Sequence, residues 1–399
     1  MLTSRWWVGV DSIMGIEIAA RVTNRTGLNI LPSFVVDYPT IGDLRTAFAR
    51  PSTSMPPSKP ISEFSLLAST PESTLSSSVA LVDNTSKNHV SALEVEEIVM
   101  VQSPVEDNSP APSARITLIQ GRPSSGKPPF YLIADGTGSI ATYIHLPPFK
   151  SNMPVYGIDS PLLRCPSRLT AEEGIPGAAK FIVEALVKAQ PEGPFSIGGF
   201  SGGAMLGYEV CRQLAAAGRI VGSLLLIDMC SPRPAGAEDT VEVGWKIYES
   251  IASLDGLWNT SDITQQHLRA FFACVAAYHP PPMTAQERPK RTAIIWGKKG
   301  MIDRCSHDPK LMQLLADRGI PTEPYAGFME DPKMGAVVWS LPHKTTADLG
   351  PNGWDRYVGE TLCLSIDADH LEMPIPGHVH LLHGAMEEAF AYLVDSYYH

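Results

Sequence analysis

From residue 113 onward the chain alternates between short apolar runs and longer amphipathic stretches. RITLI (115–119), FYLIA (130–134), VYGID (155–159), PFSIGGF (194–200), VGSLLLI (221–227), TAIIW (292–296) and TLCLSI (361–366) read as strands. VGSLLLI is nearly all apolar, as a parallel strand covered on both faces requires. Helical spacing fills the intervals. Thr170-Ala171-Glu172-Glu173 reads as a capping box opening a helix to about Gln190. A second helix covers about 202–217, closed by Gly218, and the last covers about 380–397. This alternation implies an α/β domain with a doubly wound, mostly parallel sheet. Two segments break the rhythm. Residues 232–290 carry two helical patterns, VEVGWKIYESIASL and TQQHLRAFFACVAAY, and are expected to form helical lid insertions over the sheet. Residues 304–355 are rich in Pro, Gly and Trp.

Upstream, the pattern stops. Residues 51–112 are dominated by Ser, Pro and Thr, and Phe64 is their only aromatic. Such a stretch buries too little apolar surface to offset the entropy of ordering it, so it reads as a flexible linker. Within it, SALEVEEIVMV (91–101) is the one run with a helix or strand pattern. Before the linker a separate segment, 1–50, contains the apolar run WWVGVDSIMGIEIAARV (6–22). The expected organisation is therefore 1–50, a linker over 51–112, and a large domain over 113–399.

Composition narrows the partners. The formal net charge is −11, which argues against nucleic acid or anionic membrane as the main partner, since both need a basic footprint. The six cysteines are scattered without a CxxC pair, as expected of reduced thiols. No run approaches the about 18 apolar residues of a membrane span, and the first ten residues do not read as a signal peptide. A cytoplasmic location is expected.

The candidate chemistry begins at Gly199-Phe200-Ser201-Gly202-Gly203, a G-x-S-x-G pattern with a strand directly before it and a helix directly after. That is the setting of a nucleophile elbow on an α/β-hydrolase fold. Small residues flank the serine because the turn is too sharp for neighbouring Cβ atoms. A serine hydroxyl needs a base, and the base an orienting acid, in the chain order Ser, acid, His. Asp228 closes the strand VGSLLLI, 27 residues past Ser201; Asp303 lies several residues into a loop and is the weaker alternative. Among the histidines, His267, His279, His307 and His343 fall in the irregular insertions. His370 follows TLCLSI by a short loop, which lets the ring reach the top of the sheet; His378 is second choice, with His380 and His383 close behind. The Gly202 amide at the helix start is one candidate oxyanion donor, and the loop Asp135-Gly136-Thr137-Gly138-Ser139 offers a second through Gly136 or Thr137. No metal site is expected.

FYLIADGTGS, GGFSGGAM, LLLIDMCSP and IDADHLEM, in this order, resemble the C-terminal thioesterase domains, of the releasing or Claisen-cyclase type, of fungal non-reducing polyketide synthases. The resemblance favours Asp228 over Asp303. It matches Asp369-His370-Leu371-Glu372-Met373 to the family's histidine stretch, with Leu371 where the family has Phe. It implies acyl transfer: a polyketide moves from a carrier thioester to the serine and leaves by hydrolysis, lactonisation or Claisen-type ring closure. GVDSIMGIEIAARV likewise resembles the attachment motif of an acyl carrier domain. Ser12 stands at the 4'-phosphopantetheine position, and FVVDYPTIGDLRTAF (34–48) resembles the carrier's C-terminal part. Only ten residues precede Asp11, too few for such a carrier's long first helix, so 1–50 reads as a truncated, small α-helical carrier remnant. The implied partner is an acyl carrier protein or polyketide synthase bearing a tethered polyketide thioester. The competing readings are a free-standing carboxylesterase or lipase-like hydrolase and a degenerate, non-catalytic synthase fragment.

Overall fold

The structure, a computed structural model, describes residues 112–170, 173–233, 240–255, 262–323, 335 and 338–394. The carrier-like segment with Ser12, and the linker to residue 111, lie outside the described residues.

The predicted strands form in chain order: β1 (Ile116–Gln120), β2 (Phe130–Ile133), β3 (Val155–Ile158), β4 (Phe195–Phe200), β5 (Val221–Ile227), β6 (Arg291–Gly297) and β7 (Thr361–Ile366). They make one seven-stranded sheet in the order β1-β3-β2-β4-β5-β6-β7. Only β1 runs antiparallel, pairing with β3 from Ile116 opposite Ile158. This is the α/β-hydrolase arrangement that the alternating pattern implied.

The helices are α1 (Gly174–Ala189), α2 (Gly202–Ala216), α3 (Thr240–Asp255), α4 (Asp262–Ala276), α5 (Ile302–Cys305), α6 (Pro309–Asp317), α7 (Trp354–Val358) and α8 (Val379–Val394). At the start of α1, the Glu173 N–H donates to the Thr170 hydroxyl at 3.3 Å, while the helix itself begins one residue later. Asp308 caps α6, its carboxylate accepting from the Lys310 and Leu311 amides.

Period-two alternation divides the core into two layers. Tyr131, Ile133, Ile197, Leu224, Leu226, Ile294 and Trp296 face α1, α2 and the covering helices. Phe130, Leu132, Leu225, Ile227, Ala293 and Ile295 face the layer that α8 closes with Leu382, Met386 and Phe390. Central strands β4 and β5 are buried along their whole length, as expected of parallel strands covered on both sides.

The winding reverses between β2 and β4. From β2 the chain steps outward to β3, then crosses back through α1 to β4 and continues through β5, β6 and β7. Such a switch point leaves a crevice above the carboxyl ends of the two adjacent strands, where ligands of open α/β sheets bind. The loop after β2 and the turn after β4 both open into it.

Tryptophans tie the described parts of the irregular segment 304–355 to the sheet. Trp296 and Trp339 meet edge to face with ring centroids 5.2 Å apart, and the Trp296 indole N–H donates to the Gly350 carbonyl at 2.8 Å. The Trp354 indole N–H donates to the Met229 carbonyl, also at 2.8 Å.

The far end of α4 is fixed by a buried polar cluster. Glu209 of α2 accepts from the Tyr278 hydroxyl at 2.5 Å and from Arg212 at 2.8 Å. Replacing Tyr278 by Phe leaves a buried carboxylate oxygen short of a donor. Urea unfolding at neutral pH should show Tyr278→Phe less stable by about 1–3 kcal/mol.

Candidate functional site

The turn after β4 holds Ser201 at φ 54° and ψ −129°, a region that a residue with a Cβ occupies only under constraint from its surroundings. Those surroundings are close backbone approaches. A Cβ at Gly199 would stand 2.3 Å from the Gly203 carbonyl carbon, and one at Gly203 2.5 Å from the Ile133 carbonyl oxygen of β2. A Cβ at Gly202 would stand 2.3 Å from Phe271 Cε1. The glycines of the motif are therefore required by packing on β2, on α2 itself and on α4.

The Ser201 Oγ lies 2.9 Å from His370 Nε2, and His370 Nδ1 lies 2.7 Å from Asp228 Oδ2. Asp228 leaves β5 at φ 48°, fully buried, and its other oxygen accepts the Gly297 N–H at the end of β6 at 2.8 Å. With Nδ1–H donated to Asp228, Nε2 is the ring atom left to accept the serine proton. Phe200 stacks on the His370 ring, centroids 4.8 Å apart at 25°. The loop carrying His370 is self-braced. Asp369 Oδ1 accepts the Leu371 and Glu372 amides at 2.8 Å each, and Arg304 of α5 donates to Asp369 Oδ2 at 2.5 Å.

Other predicted residues lie elsewhere. Asp303 is largely exposed and faces His343 at 3.4 Å, and His378 sits 3.8 Å from Glu372. The two oxyanion candidates of the β2 loop also separate. The Thr137 N–H donates to Asp135 Oδ1 at 2.8 Å. Asp135 is buried, and its carboxylate folds back to accept both the amide and the hydroxyl of Thr137. The Gly136 nitrogen instead faces the start of α2, 3.1 Å from where a Gly202 Cβ would be. No acceptor among the described residues takes the Gly136 or the Gly202 N–H. Two backbone N–H donors, one of them at a helix N-terminus, thus lie near Ser201 without an acceptor among the described residues.

Charge at the site is arranged against burial. Desolvation works to raise the Asp228 carboxyl, but Lys344, His370 and the Gly297 amide together hold it below the usual carboxylate range. Asp135 goes the other way, pushed up by burial despite its hydrogen bonds from Thr137 and Thr142. The Lys344 ammonium is buried without a hydrogen-bond partner among the described residues and lies over the Trp339 ring, 4.4 Å from its centroid. Burial lowers its pKa, while Asp228, Asp348 and Asp369 act to keep it charged.

Four contributors were not read from the sequence. Gly297 and Lys344 act on Asp228. The Tyr143 hydroxyl donates to the Ile133 carbonyl at 2.6 Å and accepts the Phe200 N–H at 2.9 Å, tying the ends of β2 and β4 together. His267 of α4 packs on the 135–139 loop. The Ser-Pro after β3 and a histidine at the helical spacing of Leu268 and Phe271 were its only traces.

A cavity opens over Ser201 and His370. Its walls are Gly244, Ile247, Tyr248 and Ile251 from α3, Leu268, Phe271, Phe272 and Val275 from α4, and Met229, Met301, Trp339 and Leu371. The wall is largely apolar. Among the described residues no cluster of three or more His, Cys, Asp or Glu is placed to hold a metal, and no helix is long and apolar enough to cross a membrane.

Residues 135–317 match the family described as Thioesterase domain, and residues 7–48 the family described as Phosphopantetheine attachment site. The chain is 72% identical over 390 residues to the non-reducing polyketide synthase hmp3 of Hypomyces subiculosus, covering 98% of this chain and 19% of that one. It is 61% identical over 389 residues to the non-reducing polyketide synthase ZEA1 of Gibberella zeae, with the same two coverages of 98% and 19%. The chain thus spans about a fifth of the length of these curated relatives. A solved structure of the NocB thioesterase domain, in covalent complex with a fluorophosphonate nocardicin G analog, has a TM-score of 0.47 at 18% identity, over 69% of this chain and 99% of that one.

Two measurements test the electrostatics. Lys344→Met should lower kcat/KM for a small acyl thioester by about tenfold through loss of a charge facing Asp228. His267 is held neutral by burial, its pKa lowered to about 4. The unfolded chain binds that proton from about pH 6.5 downward and the folded chain does not. His267 should therefore contribute a fall in stability of about 3 kcal/mol between pH 6.5 and pH 4, and urea midpoints of His267→Gln should lack that component.

Proposed function

Because the chain carries a thioesterase domain behind a phosphopantetheine-attachment segment, we propose that it releases a polyketide from a carrier-bound thioester through a covalent ester on Ser201. The observation that carries the reading is the relay from Ser201 through His370 to the buried Asp228, beside two unclaimed amides. His370 Nε2 takes the hydroxyl proton as Ser201 Oγ attacks the thioester carbon. The imidazolium that forms is stabilised and held by Asp228. The tetrahedral oxygen is received by the Gly136 and Gly202 N–H groups. On collapse the carbon–sulfur bond breaks, His370 returns its proton to the departing sulfur, and the acyl group remains on Ser201. In the second half His370 takes a proton from the acceptor, which attacks the ester carbon; on collapse the bond to Ser201 Oγ breaks and His370 returns the proton to that oxygen. The acceptor is water for hydrolysis, a hydroxyl of the bound chain for lactonisation, or a carbon acid of that chain for Claisen-type closure.

The attachment segment supports a thioester substrate, and the relatives support a polyketide acyl chain. Ser12 is the residue assigned to carry the 4'-phosphopantetheine arm, whose terminal thiol holds the acyl group as a thioester. The apolar cavity is consistent with such an acyl chain.

Ser201→Ala should reduce release from an acyl N-acetylcysteamine thioester by about 10⁴-fold or more, and Asp228→Asn by about 10⁴-fold with the fold intact. A fluorophosphonate probe should label the native protein and leave Ser201→Ala unlabelled. Full release by Ser201→Ala would rule the mechanism out. Incubation with a phosphopantetheinyl transferase and coenzyme A should add one arm at Ser12, read by mass spectrometry of the intact chain and of its Ser12→Ala variant.

A further inference from the structure

Helix α4 does more than wall the cavity. Three of its side chains rest on the two backbone segments that carry the unclaimed amides. A Cβ at Gly202 would stand 2.3 Å from Phe271 Cε1, and one at Gly136 would stand 3.0 Å from Leu268 Cδ1. His267 reaches further in and is only 1% exposed. Its Nδ1 lies 3.0 Å from the Gly136 carbonyl oxygen and its Nε2 lies 2.7 Å from the Ser160 hydroxyl. The ring fills the space beside Gly138, where a Cβ would fall 2.8 Å from Cε1.

These contacts fix the tautomer. A carbonyl only accepts, so Nδ1 carries the hydrogen and donates to Gly136. Nε2 is then the acceptor of the Ser160 hydroxyl proton, and the Ser160 oxygen in turn accepts the Leu162 N–H at 3.2 Å. Burial keeps the ring neutral, with its pKa lowered to about 4, so both roles persist at neutral pH.

The peptide between Gly136 and Thr137 is thereby held at both ends. Its carbonyl is taken by His267 and its N–H by Asp135 Oδ1 at 2.8 Å. Gly136 has no Cβ to limit its own torsions, so this outside grip is what restricts them. The peptide before it is held as well, since the Asp135 carbonyl, in one plane with the Gly136 N–H, accepts the Gly138 N–H at 2.9 Å. With the planes on both sides of Gly136 gripped, its N–H keeps one direction.

We propose that His267 is a positioning residue of the oxyanion pocket, which holds the Gly136 carbonyl from the covering helix and so aims the Gly136 N–H at the reacting carbonyl beside Ser201. The proposal rests on the reading above that Gly136 and Gly202 receive the oxyanion. It makes α4 part of the catalytic frame and the pocket incomplete without it. The polar contacts of His267 are with Gly136 and Ser160, not with Ser201 or His370. Its effect falls on the tetrahedral state, where the negative oxygen exists, and little on ground-state binding.

The test uses the full chain with His267→Leu, His267→Gln and Ser160→Ala. For each, kcat and KM are measured on an acyl N-acetylcysteamine thioester, with the Ki of phenylboronic acid and the melting temperature. The boronic acid adds to the serine oxygen and places a boronate oxygen where the oxyanion would form. The expected result for His267→Leu is a loss of about 10- to 100-fold in kcat, an equal factor in boronate Ki, and a KM within about twofold of wild type. His267→Gln, whose amide can donate to Gly136 and accept from Ser160, should restore most of both. A folded His267→Leu with wild-type kcat and boronate Ki overturns the proposal, as does a loss confined to KM. Should His267→Leu fail to fold, Ser160→Ala decides: a loss of about threefold or more in both kcat and boronate affinity supports the proposal, and unchanged values overturn it. Ser201→Ala run beside these separates the two levels. If it still turns over, the serine mechanism is at fault. If it is inactive while His267→Leu is normal, only the role of His267 is.

Discussion

The site depends on one close approach of backbone to backbone. Gly203, at the first turn of α2, presses on the Ile133 and Ala134 carbonyls at the end of β2, with no room for a Cβ between them. This contact brings the strand that ends in Ser201 against the strand that ends in the Asp135–Ser139 loop. The Tyr143 hydroxyl crosses the same seam, bonded to Ile133 on one side and Phe200 on the other. The strained torsions of Ser201 persist because the seam leaves the turn nowhere else to go. The Ser201 hydroxyl at a helix start and an amide from the neighbouring loop therefore come together as a result of sheet packing, before the contacts of Ser201 with His370 and Asp228 are considered.

Asp228 adds a second constraint, electrostatic rather than steric. A fully buried carboxylate is costly to hold charged, and here its two oxygens are matched to His370 and to the Gly297 amide. Lys344 supplies the opposite charge from a segment far along the chain, with its ammonium lodged over Trp339. The Pro-, Gly- and Trp-rich stretch that broke the strand–helix rhythm is thus what brings a cation towards the buried acid.

Much of this was readable from residue order. Each strand registers as an apolar run of the right length, and the G-x-S-x-G turn is betrayed by its glycines because their role is steric and local. Asp228 and His370 were readable because each follows a strand end, and strand ends in such a sheet point at one place. The unread part is directional or long-range. Whether Gly136 or Thr137 offers its amide depends on a loop torsion set by the Asp135 side chain, and nothing in Asp-Gly-Thr-Gly-Ser states it. His267 and Lys344 lie 131 and 116 residues from Gly136 and Asp228, in segments without a strand pattern to place them. Their positions emerge only once α4 and the tryptophan cluster have packed.

Both helices that wall the cavity, α3 and α4, belong to a single excursion of the chain between β5 and β6. An insertion of that kind can drift or be exchanged without disturbing the strand ends, which would ordinarily let one catalytic frame be fitted to many acyl chains. Here the freedom is unequal. Helix α3 contributes wall alone to the site. Smaller or bulkier side chains along its inner face, at positions such as Gly244, Ile247 and Ile251, are therefore compatible with unchanged chemistry. Helix α4 carries wall and anchor on one face, with His267 beside Leu268 and Phe271. Divergence in substrate choice can therefore run through α3 at little cost to rate, whereas every change along α4 must answer to the amide it holds in place.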